Sequence, residues 1–113
     1  MATSTNCKGR EGEDRAAAFL AELGYRILVR NLRLPGGEID LLCLHGRTLV
    51  FVEVKRRDGT RFGPALAAVD RRKRKKIRAL AADYAQIVAP GMYVRFDVVA
   101  LDGNRLALHR NAF

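Results

Sequence analysis

The sequence predicts an α/β fold: a mixed five-stranded sheet flanked by helices, in the order αβββαββ. Three observations carry that prediction. Two segments repeat their apolar residues at helical spacing, five are apolar at strand spacing, and glycine-centred turns separate them. Because a helix-length segment lies between the third and fourth strands, the fourth is expected to run parallel to a preceding neighbour.

Each element has its own warrant. Residues 1–9 are polar and aperiodic and read as a flexible leader, so one domain is expected over 10–113. From 10 to 23 the pattern is helical, with Ala16, Ala17, Phe19, Leu20 and Leu23 on one side and Gly24 as the stop. "YRILVRNLRL" alternates weakly as a first strand, closed by Pro35-Gly36-Gly37. "EIDLLCLH" and "TLVFVEVKRR" follow as two strands joined by a tight hairpin around His45-Gly46-Arg47. Residues 58–64 read as a loop. Residues 65–88 read as a long helix carrying Leu66, Val69, Ile77, Leu80, Tyr84 and Ile87 on one face, ended by Pro90-Gly91. "YVRFDVVAL" is the fourth strand, Asp102-Gly103-Asn104 a turn, and "RLALHR" a short fifth strand.

Composition narrows the function classes. At 113 residues the chain makes one core. No stretch approaches the roughly 20 apolar residues of a membrane span, and the amino terminus carries no apolar signal-peptide core. Cys7 and Cys43 read as two free thiols of a reducing cytoplasm. His45 and His109 do not stand at metal-ligand spacing with them. A net charge of +9 and a pI near 10.4 call for an anionic partner. Positions 71–76 are all Lys or Arg, without the exposed bulky apolar residues of a membrane-surface helix, so nucleic acid ranks above membrane.

In so basic a chain the acids of "GGEIDLLCLHGRTLVFVEVKRR" need explaining, since strands are poor in acids and an unpaired buried carboxylate is costly. Strand side chains alternate faces, so Glu38 shares a face with Asp40, and Glu53 with Lys55. A two-residue loop at Gly46-Arg47 pairs His45 with Thr48 and sets Asp40 opposite Glu53. A loop at His45-Gly46 shifts the pairing by two and keeps the face; an odd loop or a bulge would separate them. Opposed carboxylates repel unless a cation intervenes, and Mg²⁺ takes one or two carboxylates plus phosphate and water. Lys55, about 7 Å further along the strand, can orient or deprotonate an attacking water, or neutralise charge on a phosphorane-like transition state. Such a set suits metal-assisted phosphodiester hydrolysis.

Two helical residues join it. Glu13 falls within the apolar arc of the first helix and Lys73 near the centre of the arc of the second, with Lys76 at its boundary. Both are expected to reach the cleft of Asp40 and Glu53. Each residue also has a plainer reading: the strand Glu-x-Lys as a surface ion pair, Glu38 as an exposed strand start, Glu13 as a charge on the first helical turn, Lys73 as a snorkelling side chain. Their conjunction favours the site.

The motifs "GEDRAAAFL", "GYRILVRNLR", "GGEIDLL", "LVFVEVKRR", "AVDRRKRKKI", "RFDVV" and "LHRNAF" closely resemble the YraN-like group of small bacterial proteins. That group is similar in turn to the PD-(D/E)xK nuclease superfamily, near archaeal Holliday-junction resolvases. The resemblance implies a restriction-endonuclease-like core. It makes Asp40 and Glu53 the metal-binding carboxylates, Glu13 the added first-helix acid, and Lys55 the motif lysine. Ile39-Asp40 stands where the superfamily has Pro-Asp.

The expectation is therefore a Mg²⁺- or Mn²⁺-dependent, structure-selective DNA endonuclease acting on branched or otherwise structured DNA. Glu38 would be an outer ligand. Arg57, Arg71, Arg72, Lys73, Arg74, Lys75 and Lys76 would contact phosphates, giving affinity and salt dependence without base readout. Two cuts at one junction would favour a two-fold homodimer. The alternative is a non-catalytic nucleic-acid-binding protein of the same fold, associated with RNA or the ribosome in a weaker variant.

Overall fold

The structure, a computed structural model, describes residues 7–57 and 64–112. The elements are α1 (Cys7–Glu22), β1 (Arg26–Leu34), β2 (Gly37–His45), β3 (Thr48–Arg57), α2 (Pro64–Val88), β4 (Tyr93–Asp102) and β5 (Arg105–His109). The strands form one sheet in the order β1-β2-β3-β4-β5. All neighbours are antiparallel except β3 and β4, which run parallel across the α2 connection. This is the mixed sheet and the parallel crossover that the pattern predicts.

Turn chemistry sets the registers. Leu34 pairs with Gly37 around Pro35-Gly36, and Gly36 takes φ +93°, the left-handed position after proline in a type II turn. His45 pairs with Thr48 around Gly46-Arg47, the two-residue loop that sets Leu41 opposite Val52, one residue short of Asp40 and Glu53. Glycine at its first central position, with φ +61°, suits the twist of the strands it joins.

Two apolar layers cover the sheet. Ala16 and Leu20 of α1 pack with Leu41, Cys43, Val50, Val52, Val99 and Leu101 on one face. Ala81 and Ala85 of α2 pack with Leu42, Leu49, Phe51 and Phe96 on the other. Phe51 is fully buried and stacks on Phe96 at 5.3 Å.

Several expectations shift. α1 starts at Cys7, so the last three residues of the expected leader are helical; each residue added to an existing helix gains a backbone bond, which extends it past its amphipathic part. Residues 1–6 and the expected loop over 58–63 lie outside the described residues, as do the side chains of Cys7, Arg57, Leu66 and Val69. Leu23 is 43% exposed, because it follows the helix in the turn closed by Gly24. Ile87, expected on the packing face of α2, is 80% exposed. The buried stripe is centred on Ala81 and Ala85, and Ile87 lies two residues past Ala85, on the opposite side of the helix.

Strict alternation also fails where it matters most. Ile39 packs with the α2-side layer, whereas Leu41 packs with the α1-side layer. In the neighbouring strand a bulge lies between Ile27 and Val29, and Asn31 adopts φ +56°. Such irregularities sharpen local twist and re-aim side chains. The β2–β3 ladder is paired only as far as Leu41 and Val52.

Candidate active site

Beyond that last pair β2 and β3 part, and Asp40 occupies the fork. Its Oδ2 accepts the backbone N–H of Val54 at 2.8 Å, so a side chain bridges the two strands where the ladder stops. Asp40, Glu38, Glu53, Val54, Lys73, Arg74 and Ile77 line a cavity of about 260 Å³ between the strands and α2. The carboxylates of β2 and β3 therefore meet in one cavity.

Asp40 is half-buried, and its carboxyl is pushed up to about 6 from an ordinary 3.8. Burial is the main cause, offset by the Val54 hydrogen bond and reinforced by the charges of Glu13, Glu53 and Glu38. Glu13 reaches this field from α1, half-buried as its place in the apolar arc predicts. With its amide nitrogen turned towards Glu13, Asn31 donates to both carboxylate oxygens at 3.0 and 3.2 Å. The left-handed backbone of Asn31 is thus located where a side-chain donor meets the helix acid.

The cations are arranged differently from the helical-wheel expectation. Lys73 borders the cavity but is exposed; Arg74 is the inward residue, with Nη2 3.6 Å from Oε2 of Glu53 and both side chains largely buried. The buried stripe of α2 is rotated towards Ala81 and Ala85, and that rotation turns Arg74 to the sheet in place of Lys73. Arg71, Arg72, Lys75 and Lys76 are exposed along the same helix. Lys55, half-buried, lines an adjoining cavity with Arg74 rather than the acid-lined one. Glu38 sits exposed at the rim, 3.6 Å from the exposed Arg33.

The donor set consists of hard carboxylate oxygens, which suit Mg²⁺ or Mn²⁺. Among the described residues no three His, Cys, Asp or Glu side chains form a complete ligand group. Mg²⁺ commonly takes one or two carboxylates and completes its shell with water and substrate phosphate, which the pairing of Asp40 and Glu53 can accommodate. The raised carboxyl of Asp40 marks negative charge that a cation would offset.

A second polar cluster gave no strong sequence signal. Asp97 is fully buried on β4 and accepts from Tyr25 Oη at 2.8 Å, Arg95 Nε at 3.0 Å and the backbone N–H of Asn111 at 2.9 Å. Arg95 also donates to Tyr25 Oη at 2.8 Å, and His45 stacks on the Tyr25 ring at 4.3 Å. Burial, then the hydrogen bond to Asp97, pushes the Tyr25 phenol up. The legible trace was an acid inside the apolar run of "RFDVVAL", two residues after an arginine and hence on its face. No helix is long and apolar enough to cross a membrane among the described residues.

The family model described as "Uncharacterised protein family UPF0102" matches residues 12–101, the span that contains Glu13, Asp40, Glu53, Lys55 and the basic run. A UPF0102 protein of Dechloromonas aromatica is 46% identical over 110 residues, covering 97% of this chain and 91% of the relative. One from Halorhodospira halophila is 48% identical over 107 residues, covering 94% and 86%. One from Moorella thermoacetica is 46% identical over 102 residues, covering 89% and 85%. With most of its length matched by the family model and by these relatives, the chain belongs to the uncharacterised protein family UPF0102, the YraN-like group.

Proposed function

We propose that this protein is a metal-dependent, structure-selective DNA endonuclease. The observation that carries the reading is the cavity in which Asp40, Glu53 and Glu38 gather beneath a strongly basic helix. Burial and neighbouring acids hold the Asp40 carboxyl near 6, a cost in stability that a divalent cation would remove. The resemblance of the strand Asp and Glu-x-Lys pattern to PD-(D/E)xK nucleases supports the same assignment.

Asp40 and Glu53 would hold Mg²⁺ or Mn²⁺, with Glu13 supporting from α1 and Glu38 in an outer position. Bound there, the metal supplies Lewis-acid polarisation of a phosphoryl oxygen and makes a water more acidic. The Val54 N–H fixes the Asp40 carboxylate, and Asn31 fixes that of Glu13, so neither must reorganise during the reaction. Lys55, two residues along the strand from Glu53 and lining the adjoining cavity with Arg74, would reach from that side to stabilise charge on the reacting phosphate or orient the attacking water. Arg74 faces the approaching phosphodiester, and the exposed cations of α2 draw the polyanion to acids that would repel it.

The test is cleavage of branched, nicked and linear DNA with Mg²⁺ or Mn²⁺, comparing wild type with Asp40→Asn and Lys55→Ala. Cleavage by wild type that both substitutions abolish is the expected result; the same behaviour in all three proteins would sink the proposal. The Arg74–Glu53 ion pair favours a second reading, in which the acid is held by an arginine and the protein binds nucleic acid without cutting it. That reading expects binding with no metal-dependent cleavage by any of the three. Competition between junction DNA, duplex DNA and structured RNA at fixed salt then identifies the bound species.

A further inference from the structure

We infer that Arg74 sets the metal affinity of the acid site, because its guanidinium and a divalent cation compete for the Glu53 carboxylate. The inference rests on the metal-site reading above and adds a competitor to it. Arg74 Nη2 lies 3.6 Å from Glu53 Oε2, an ion pair longer than a hydrogen bond, with both side chains largely buried. Arg74, Glu53 and Asp40 line the same cavity of about 260 Å³. Asp40 is held differently: its Oδ2 accepts the Val54 N–H at 2.8 Å, so a backbone donor orients it. Of the two acids expected to hold the metal, Glu53 is thus the one that already has a cation beside it.

The exchange falls to the Arg74 side chain, because α2 itself is seated tightly. A Cβ at Gly37 would meet Ile77 Cδ1 at 2.8 Å, and one at Gly36 would meet Leu80 Cδ1 at 3.3 Å. The helix therefore rests directly on the β1–β2 turn, and Ile77, three residues beyond Arg74, lines the acid cavity with it. Arg74 also borders the adjoining cavity of about 460 Å³, which gives its guanidinium room to leave Glu53. Lys55 lines that cavity too, so the move brings two cations closer and has a cost. Metal binding must offset this cost and the lost ion pair, and the apparent affinity falls by the same factor. In return Glu53 stays charge-compensated in the metal-free protein.

The experiment is a Mn²⁺ titration without DNA, read by calorimetry and by the resonance signal of the free ion. It compares wild type, Arg74→Ala, Arg74→Gln, Arg74→Lys and Arg78→Ala. Arg78 is exposed one turn further along α2 and controls for the loss of one positive charge. Arg74→Ala and Arg74→Gln are expected to bind Mn²⁺ about tenfold more tightly than wild type, which is about 1.4 kcal/mol. Arg74→Lys keeps the charge and stays within about threefold of wild type, and Arg78→Ala within about twofold. Thermal melts confirm that each variant is folded. In a Glu53→Gln background the Arg74→Ala effect should vanish, since no ion pair is left to compete; a tenfold gain that persists there overturns the inference. If Arg74→Ala and Arg74→Gln bind no more tightly than Arg78→Ala, competition is overturned while the nuclease reading stands. The expected Arg74 effect in a protein that cleaves no DNA overturns the nuclease reading and leaves the competition intact. Failure of both wild type and Arg74→Ala to bind Mn²⁺ overturns both.

Discussion

Asp40→Asn should make the protein more stable, by an amount that depends on pH. The carboxyl is raised from 3.8 to about 6 on folding, a shift of about two units. At 1.36 kcal/mol per unit the cost is about 3 kcal/mol, an upper value because Asp40 is only partly buried. The sign follows from proton uptake. Below about pH 4 both states carry a protonated Asp40 and the residue has no differential effect. Between about pH 4 and 6 the unfolded chain ionises while the folded one stays neutral, so stability falls as pH rises. Above that window the full cost applies. Asparagine removes the charge and keeps an oxygen for the Val54 N–H, so the variant should gain about 2–3 kcal/mol at neutral pH, or roughly 10 °C in Tm for a domain of this size. Urea or thermal unfolding of both proteins across this range, in EDTA, measures the gain. A gain that is absent, or equal at low and neutral pH, would refute the account of Asp40 as a carboxylate destabilised by burial and by its acidic neighbours. Mn²⁺ should raise the Tm of wild type with concentration and leave the variant unmoved, because a ligand stabilises only the state that binds it.

Asp97→Ala leaves the guanidinium of Arg95 without its buried partner and should cost about 3 kcal/mol in urea denaturation, the low end for broken buried pairs because Arg95 is partly exposed. A cost under about 1 kcal/mol would mean that the cluster does not anchor the sheet. Gly36→Ala puts a Cβ on a residue at φ +93° and should destabilise by about 1–2 kcal/mol, read as a lower urea midpoint at unchanged slope. Cys43 is buried, and burial pushes its thiol up to about 12, so maleimide should fail to label it in the native protein and label it readily in urea. Native-state labelling of Cys43 would contradict its place between α1 and the sheet.

The fold was legible because its signals are local. Apolar periods separate two helices from five strands, and glycine turns mark where the hairpins close, although His45-Gly46-Arg47 admits two loops whose registers differ by two residues. The expectation that Asp40 and Glu53 share a face follows from either hairpin loop, since both keep the strand phase. The inward placement of Glu13 follows from helical spacing. Which cation of the basic run would face the sheet was not legible. Six consecutive Lys and Arg residues carry no periodic signal of their own, and the rotation of α2 is decided by how closely Ala81 and Ala85 approach Leu42, Phe51 and Phe96.

By itself, then, the sequence determined the element order, the parallel crossover and the presence of strand acids on a shared face, since backbone period and turn type depend only on neighbouring residues. Tertiary structure alone decided that Asp40 stands in a fork between separating strands, that Arg74 and not Lys73 meets Glu53, and that Asn31 holds Glu13. It also decided that Asp97, Tyr25 and Arg95 tie down the C-terminal turn. Each of these joins residues far apart in the chain through packing distance and helix rotation, and neither quantity is encoded in the spacing of residues along it.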